Sequence, residues 1–103
     1  MVDPSPSQCL EKLREELDAI DLMLLKNLND RIQCCVQIAQ YKREHSVPMM
    51  QPHRISFVKE RAFKFGAEHG IDTEFLSRLY DLIIGETCRV ESLVIEGKNS
   101  GSL

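Results

Sequence analysis

The residues able to do chemistry in this chain are polar groups set where a helix would otherwise be apolar. Leu10, Leu17, Leu24, Arg31 and Ile38 recur at seven-residue steps, so Arg31 puts a guanidinium on a core-facing position. Lys42 follows eleven residues later. On a 3.6-residue helix that is a rotation of ~20° and an advance of ~16 Å, so the two cations share a face. Arg14 precedes Arg31 by seventeen residues, which turns it away by ~100° and moves it ~25 Å along the axis. It does not easily join the same pocket within one chain, but it can join the pocket of an antiparallel partner. Further on, Thr87 and Glu91 are spaced i, i+4 and continue the apolar series of Tyr80, Ile83 and Ile84. An acid in such a stripe is either paired with a cation or kept neutral by burial.

Each of these residues also has an ordinary reading. A lone Arg or Lys on a helix usually carries its head group to water or pairs with an acid. A lone Glu is usually a surface or ion-paired acid, and Asp21 reads as an ion-pair partner or interface contact. As a set they mean more. Several inward cations in an acidic chain, without a matching set of inward acids, point to an anionic ligand, because unpaired buried charge is costly. Other chemistries find little support. His45, His53 and His69 lack metal or triad spacing, and there is no glycine-rich phosphate loop. No metal and no cofactor is expected. Cys9, Cys34, Cys35 and Cys88 include no Cys-x-x-Cys pair. They are expected to be reduced and packed as small apolar groups, with Cys34 and Cys88 inert.

These groups need helices to hold them. Residues 7–46 contain neither Gly nor Pro. Leu10, Leu13, Leu17, Ile20, Leu24, Leu28, Cys35 and Ile38 recur at steps of three, four and seven, which predicts one long helix with Ser7 as its N-cap. A helix of ~38 residues is ~57 Å long, whereas a compact domain of this size has a radius of gyration of ~13 Å. Its apolar face cannot be covered by the rest of its own chain, so a second copy is the expected partner. Pro48 and Pro52 are expected to end this helix and fence a loop at 47–51. Pro52 opens a second helix to His69, with Ile55, Val58, Ala62 and Phe65 on its inner side and Gly70 as its stop. Asp72 caps a third helix, with Glu74 in its first turn. That helix carries Leu76, Leu79, Tyr80, Ile83, Ile84, Val90 and Val94 inward and ends at Gly97. The fold class is therefore all-α: long, short and medium helices in one domain, 1–97, followed by a disordered tail at 98–103.

Composition narrows the setting. The chain has 103 residues, 43% hydrophobic and 28% charged, with a net charge of −3, room for one small domain. The acidic balance and the lack of a basic run argue against nucleic acid as a partner. The first residues lack the apolar core of a signal peptide and no run is long enough to span a bilayer, so no membrane partner and a cytoplasmic location are expected.

The ordered pieces Leu13-Arg14-x-x-Leu17-x-x-Ile20-Asp21, Leu24-Leu25, Asp30-Arg31, Ala39-x-x-Lys42, Pro48, Arg54, Glu60-Arg61 and Phe75-Leu76-x-x-Leu79-Tyr80-x-x-Ile83-Ile84 resemble the all-α (AroQ-class) chorismate mutases. The likeness covers about residues 10–95. It implies an intertwined homodimer with two equivalent sites that rearranges a small dicarboxylate. It also implies that Arg14 reaches in from the other subunit and that Arg31 and Arg54 hold the substrate's carboxylates and ring. Lys42 would hydrogen-bond the ether oxygen of the breaking C–O bond, and Thr87 and Glu91 would line the pocket, Glu91 facing that same oxygen. A carboxylate cannot donate to an ether oxygen. Glu91 is therefore expected either to stay protonated, favouring activity at lower pH, or to be ionised and bound to a cation.

One stretch departs from the common pattern. Where the family reads roughly Asp-x-x-Arg-Glu, this chain has Gln51-Pro52-His53-Arg54-Ile55. The acid that meets the substrate's C4 hydroxyl is replaced by Ile55, so Gln51 and Ile55 join the expected substrate-binding set. The surrounding run, Val47-Pro48-Met49-Met50-Gln51-Pro52-His53-Arg54, is similar to the 4-amino-4-deoxychorismate mutases, which makes the amino compound the expected substrate. Ordinary chorismate, an isochorismate–pyruvate lyase reaction and a non-catalytic helical dimerisation module are the alternatives, in that order.

Overall fold

The computed structural model describes residues 5–48 and 51–97. The expected tail at 98–103 and part of the expected loop at 47–51 lie outside them. Three helices make up the described chain: α1, Pro6–His45; α2, Pro52–His69; and α3, Thr73–Ile95. Among the described residues there is no strand, and no helix is long and apolar enough to cross a membrane. The chain divides into two units, 1–33 and 34–103.

The first unit is the opening part of α1. Its N-cap is Ser5, not Ser7 as the sequence reading expects. The Ser5 Oγ accepts from the Gln8 N–H at 3.2 Å, and Gln8 Oε1 accepts from the Ser5 N–H at 2.8 Å. This reciprocal capping box needs Gln or Glu three residues after the cap, and Pro6 fits the first helical position because it lacks an N–H to satisfy. The unit's apolar side chains are largely uncovered: Leu13, Leu17, Ile20 and Leu24 are 55–64% exposed.

In the second unit α1 ends before Pro48 is reached. Ser46 takes a left-handed φ of 54°, and the Val47 N–H returns to the Lys42 carbonyl at 2.9 Å, a Schellman closure built without glycine. The His45 ring Nδ1 donates to the Tyr41 carbonyl at 2.9 Å, folding the ring back on the last turn. Helix α2 begins at Pro52 as expected. The Gln51 carbonyl accepts from the N–H groups of Arg54 and Ile55 at 2.9 and 3.4 Å. It ends on Gly70, whose φ of 69° is one a side chain would resist, with the Ile71 N–H on the Gly66 carbonyl at 2.9 Å. Asp72 then caps α3, accepting from the Phe75 N–H at 3.2 Å.

Helices α2 and α3 pack on each other. The inner line of α2 runs Ile55, Val58, Ala62, Gly66, with the last three buried. Phe65, expected on that line, is 51% exposed and stacks on His69 instead. One residue sets this choice. A Cβ on Gly66 would lie 2.8 Å from Leu76 Cδ1 and 2.9 Å from the Ile71 carbonyl oxygen, so the glycine admits the returning chain where a side chain would hold it off. The core is made of small groups: Cys35, Ala39, Val58, Ala62, Val90 and Val94. Ile38, expected inward, is 44% exposed, and Ala39 beside it is fully buried.

Candidate functional site

Two helix faces build the site in the second unit. On α1, Cys35, Ala39 and Lys42 fall at i, i+4 and i+7 and so share one side. On α3, Thr87, Val90, Glu91 and Val94 do the same. The two faces meet through side chains. Lys42 Nζ donates to Glu91 Oε1 at 2.9 Å, with side-chain exposures of 14% and 7%. The Cys35 thiol donates to Thr87 Oγ1 at 3.7 Å, a long contact of the kind sulfur makes. Arg43 Nη1 donates to the Val94 carbonyl at 3.3 Å, closing the end of α3. These rungs follow the same order along both helices, and the small Ala39 lies between the first two.

The Lys42–Glu91 pair gives this face its chemical character. Glu91 is the only buried charged residue among those described. Taking both charges out of water costs several kcal/mol per ion. At 2.9 Å the attraction returns about 6 kcal/mol at an effective dielectric of about 20. The pair thus comes close to balance, and neither member can be removed cheaply. The Glu91 carboxyl group sits on a cation, the contact that the second of its two expected arrangements calls for. The result is a lysine ammonium held inside the fold with its direction fixed by a carboxylate.

Thr87 lies one turn before Glu91. Its hydroxyl donates to the Ile83 carbonyl at 3.0 Å, the usual back-bond of a helical threonine. Arg14 and Arg31 belong to the first unit, Arg14 exposed and Arg31 half-buried. At the opening of α2, Gln51 and Ile55 are half-buried, and the exposed Arg54 holds its guanidinium 5.2 Å over the Phe57 ring, with Arg61 at 5.5 Å. The structure therefore brings Lys42, Thr87 and Glu91 together and gives Arg54 an aromatic neighbour on its own helix. Asp21 is exposed.

The sequence reading missed Cys35 as a polar contact. It counts the residue among the apolar stripe, although its seven-residue spacing to Lys42 places both on one face.

Other charged pairs stand apart from this face. Arg89 grips Glu86 with two bonds of 2.7 and 2.8 Å. The hydrogen bond to the guanidinium holds the Glu86 carboxyl below its ordinary range and raises Arg89 above its own. Lys59 and Asp81, 2.6 Å apart, tie α2 to α3 at the surface. Two shallow grooves run beside α2. One of about 470 Å³ is lined by Ser56, Lys59, Glu60, Phe63, Thr73 and Ser77. Another of about 340 Å³ lies along Phe57, Arg61 and Phe65. Neither includes Lys42, Thr87 or Glu91. Among the described residues no group of three or more His, Cys, Asp or Glu could hold a metal ion.

Comparison with known proteins places this geometry in a context. The family model for chorismate mutase type II matches residues 13–92. A 4-amino-4-deoxychorismate mutase of Streptomyces venezuelae is 56% identical over 86 residues, 84% of each chain. A protein of the same name from Streptomyces pristinaespiralis is 54% identical over 82 residues, 80% of this chain and 64% of that one. More distantly, a chorismate mutase of Methanocaldococcus jannaschii is 23% identical over 84% of this chain and 88% of its own. No solved structure matched.

Proposed function

The chain belongs to the chorismate mutase type II family, and on that premise we propose that it catalyses the [3,3] Claisen rearrangement of 4-amino-4-deoxychorismate to 4-amino-4-deoxyprephenate. The observation that carries this reading is the likeness, above half identity over most of the chain, to two relatives named for that substrate. The replacement of an acid by Ile55 at the position facing C4 agrees with it.

The chemistry asks little of the protein in covalent terms. The ether C–O bond breaks as a C–C bond forms within one molecule, and no proton or electron is exchanged with the enzyme. Two demands remain: an extended substrate must be folded into a chair-like conformer, and negative charge growing on the ether oxygen must be met by a fixed donor. Lys42 is the donor in this reading, and its burial beside Glu91 supports the assignment because a held ammonium needs no reorganisation as charge develops. Glu91 holds the Lys42 ammonium in place for that oxygen, and Thr87 lines the pocket. Arg31 and Arg54 take the two carboxylates, since a guanidinium fork matches a carboxylate in two bonds. Gln51 and Ile55 border the C4 substituent.

Arg14 completes the site from a second copy, so the working unit is a homodimer. The exposed Leu13, Leu17, Ile20 and Leu24 on α1 support this, because a contiguous apolar face on a lone chain marks an interaction surface. In this reading residues 1–97 form the catalytic domain, acting in the cytoplasm on a small-molecule dicarboxylate, paired with a second copy and using no cofactor.

One competition assay tests the proposal. Purified protein is given chorismate, isochorismate and 4-amino-4-deoxychorismate at equal concentration, with products separated by chromatography and Lys42→Ala as control. Faster consumption of the amino compound, abolished in Lys42→Ala, is the expected result. Preference for chorismate would refute the substrate and leave the mechanism standing. Turnover of none would refute both and favour a dimerisation module in which the Lys42–Glu91 pair is purely structural.

A further inference from the structure

Cys35 is 7% exposed, yet its thiol does more than fill space. It donates to Thr87 Oγ1 at 3.7 Å, while the Thr87 proton goes to the Ile83 carbonyl at 3.0 Å. A helical threonine divides between two χ1 rotamers when only its own backbone holds it. A second contact from the facing helix selects one. The contact lies on the same pair of faces as the Lys42–Glu91 pair, one turn from Glu91 along α3 and two turns from Lys42 along α1.

Resting on the mutase reading above, we propose that Cys35 is a positioning residue for the reaction. Its thiol fixes the rotamer in which the Thr87 hydroxyl meets the substrate, and its volume sets the spacing of α1 and α3 at which Lys42 and Glu91 meet. The two roles separate chemically. Valine fills the space without the hydrogen bond, whereas serine keeps a donor and an acceptor in a slightly smaller group. Substrate contact belongs to Thr87, and Cys35 acts through it.

A double-mutant cycle on Cys35→Val and Thr87→Val tests the assignment, with kcat/KM on 4-amino-4-deoxychorismate and the thermal midpoint read for each protein. Cys35→Val is expected to lower kcat/KM by about 3- to 10-fold, the weight of one neutral hydrogen bond, with little change in midpoint. Cys35→Ser recovers most of that loss, and in the Thr87→Val background Cys35→Val costs nothing further. An equal loss with and without Thr87, or no loss at all, would overturn the proposal while leaving the mutase reading intact. If Cys35→Val does not fold, Cys35→Ala carries the same cycle. A wild-type protein that converts none of the three compounds refutes the mutase reading itself, and the role given to Cys35 goes with it.

Discussion

Replacing Lys42 by methionine removes a cation of nearly the same volume from a buried position and leaves Glu91 facing apolar surroundings. The pair is 2.9 Å apart with side-chain exposures of 14% and 7%, so little water can take the place of the ammonium. Breaking a buried pair by deleting one partner costs about 3–5 kcal/mol. In a domain of this size each kcal/mol moves the thermal midpoint by about 4–8 °C, so the midpoint should fall by roughly 12 °C or more. Activity should fall by about 10²–10³-fold, the loss seen when a fixed donor to a developing oxyanion is removed. The double variant Lys42→Met/Glu91→Leu separates the two effects. With both charges gone the fold should recover most of its stability, because a buried pair replaced by apolar groups is close to neutral. The activity should stay lost. Thermal unfolding by circular dichroism and steady-state kinetics on the three proteins decide the matter. A double variant that regains both stability and activity would refute the reasoning, since it would make the pair a structural element alone. So would a single variant that keeps its activity.

Other changes probe the fold and the pocket. Gly66→Ala sets a Cβ 2.9 Å from the Ile71 carbonyl oxygen; overpacking of this kind outweighs the gain in helix propensity and should destabilise by about 1–2 kcal/mol in denaturant unfolding. Ile55→Glu restores the acid that the family pattern carries and should raise the ratio of chorismate to 4-amino-4-deoxychorismate turnover by about tenfold, worth one hydrogen bond; an unchanged ratio removes Ile55 from the specificity argument. Glu86 has its carboxyl lowered by the Arg89 hydrogen bond. What the pair adds to stability is therefore present above the ordinary glutamate range and lost as pH falls through the lowered value. A carbon-detected NMR titration should find Glu86 protonating below the ordinary glutamate range, and Arg89→Ala should return it to that range.

Much of the fold is local and was legible in the sequence. The bounds of α2 follow from Pro52 and Gly70, and the start of α3 from Asp72, because proline, a left-handed glycine and a capping carboxylate act within one turn of their own position. The ends of α1 were harder. Its cap is a reciprocal pair, Ser5 with Gln8, which a search for the last serine before the stripe passes over, and Ser46 closes it in a conformation that serine rarely takes.

Faces were read less well than ends. Phe65 and Ile38 were expected inward on periodicity, yet Gly66 and Ala39, one position along, are buried in their place. Hydropathy ranks a large side chain above a small one, whereas close helix packing selects the small one where backbones approach. The charged positions were legible because Lys42, Thr87 and Glu91 interrupt apolar stripes. That Glu91 meets Lys42, and that Cys35 reaches Thr87, depends on how residues 49 and 52 positions apart in sequence are brought together by two helices lying against each other. No local rule carries that information. Periodicity assigns each residue to a side of its own helix, and only the packing of α1 against α3 decides which residues on the two sides touch.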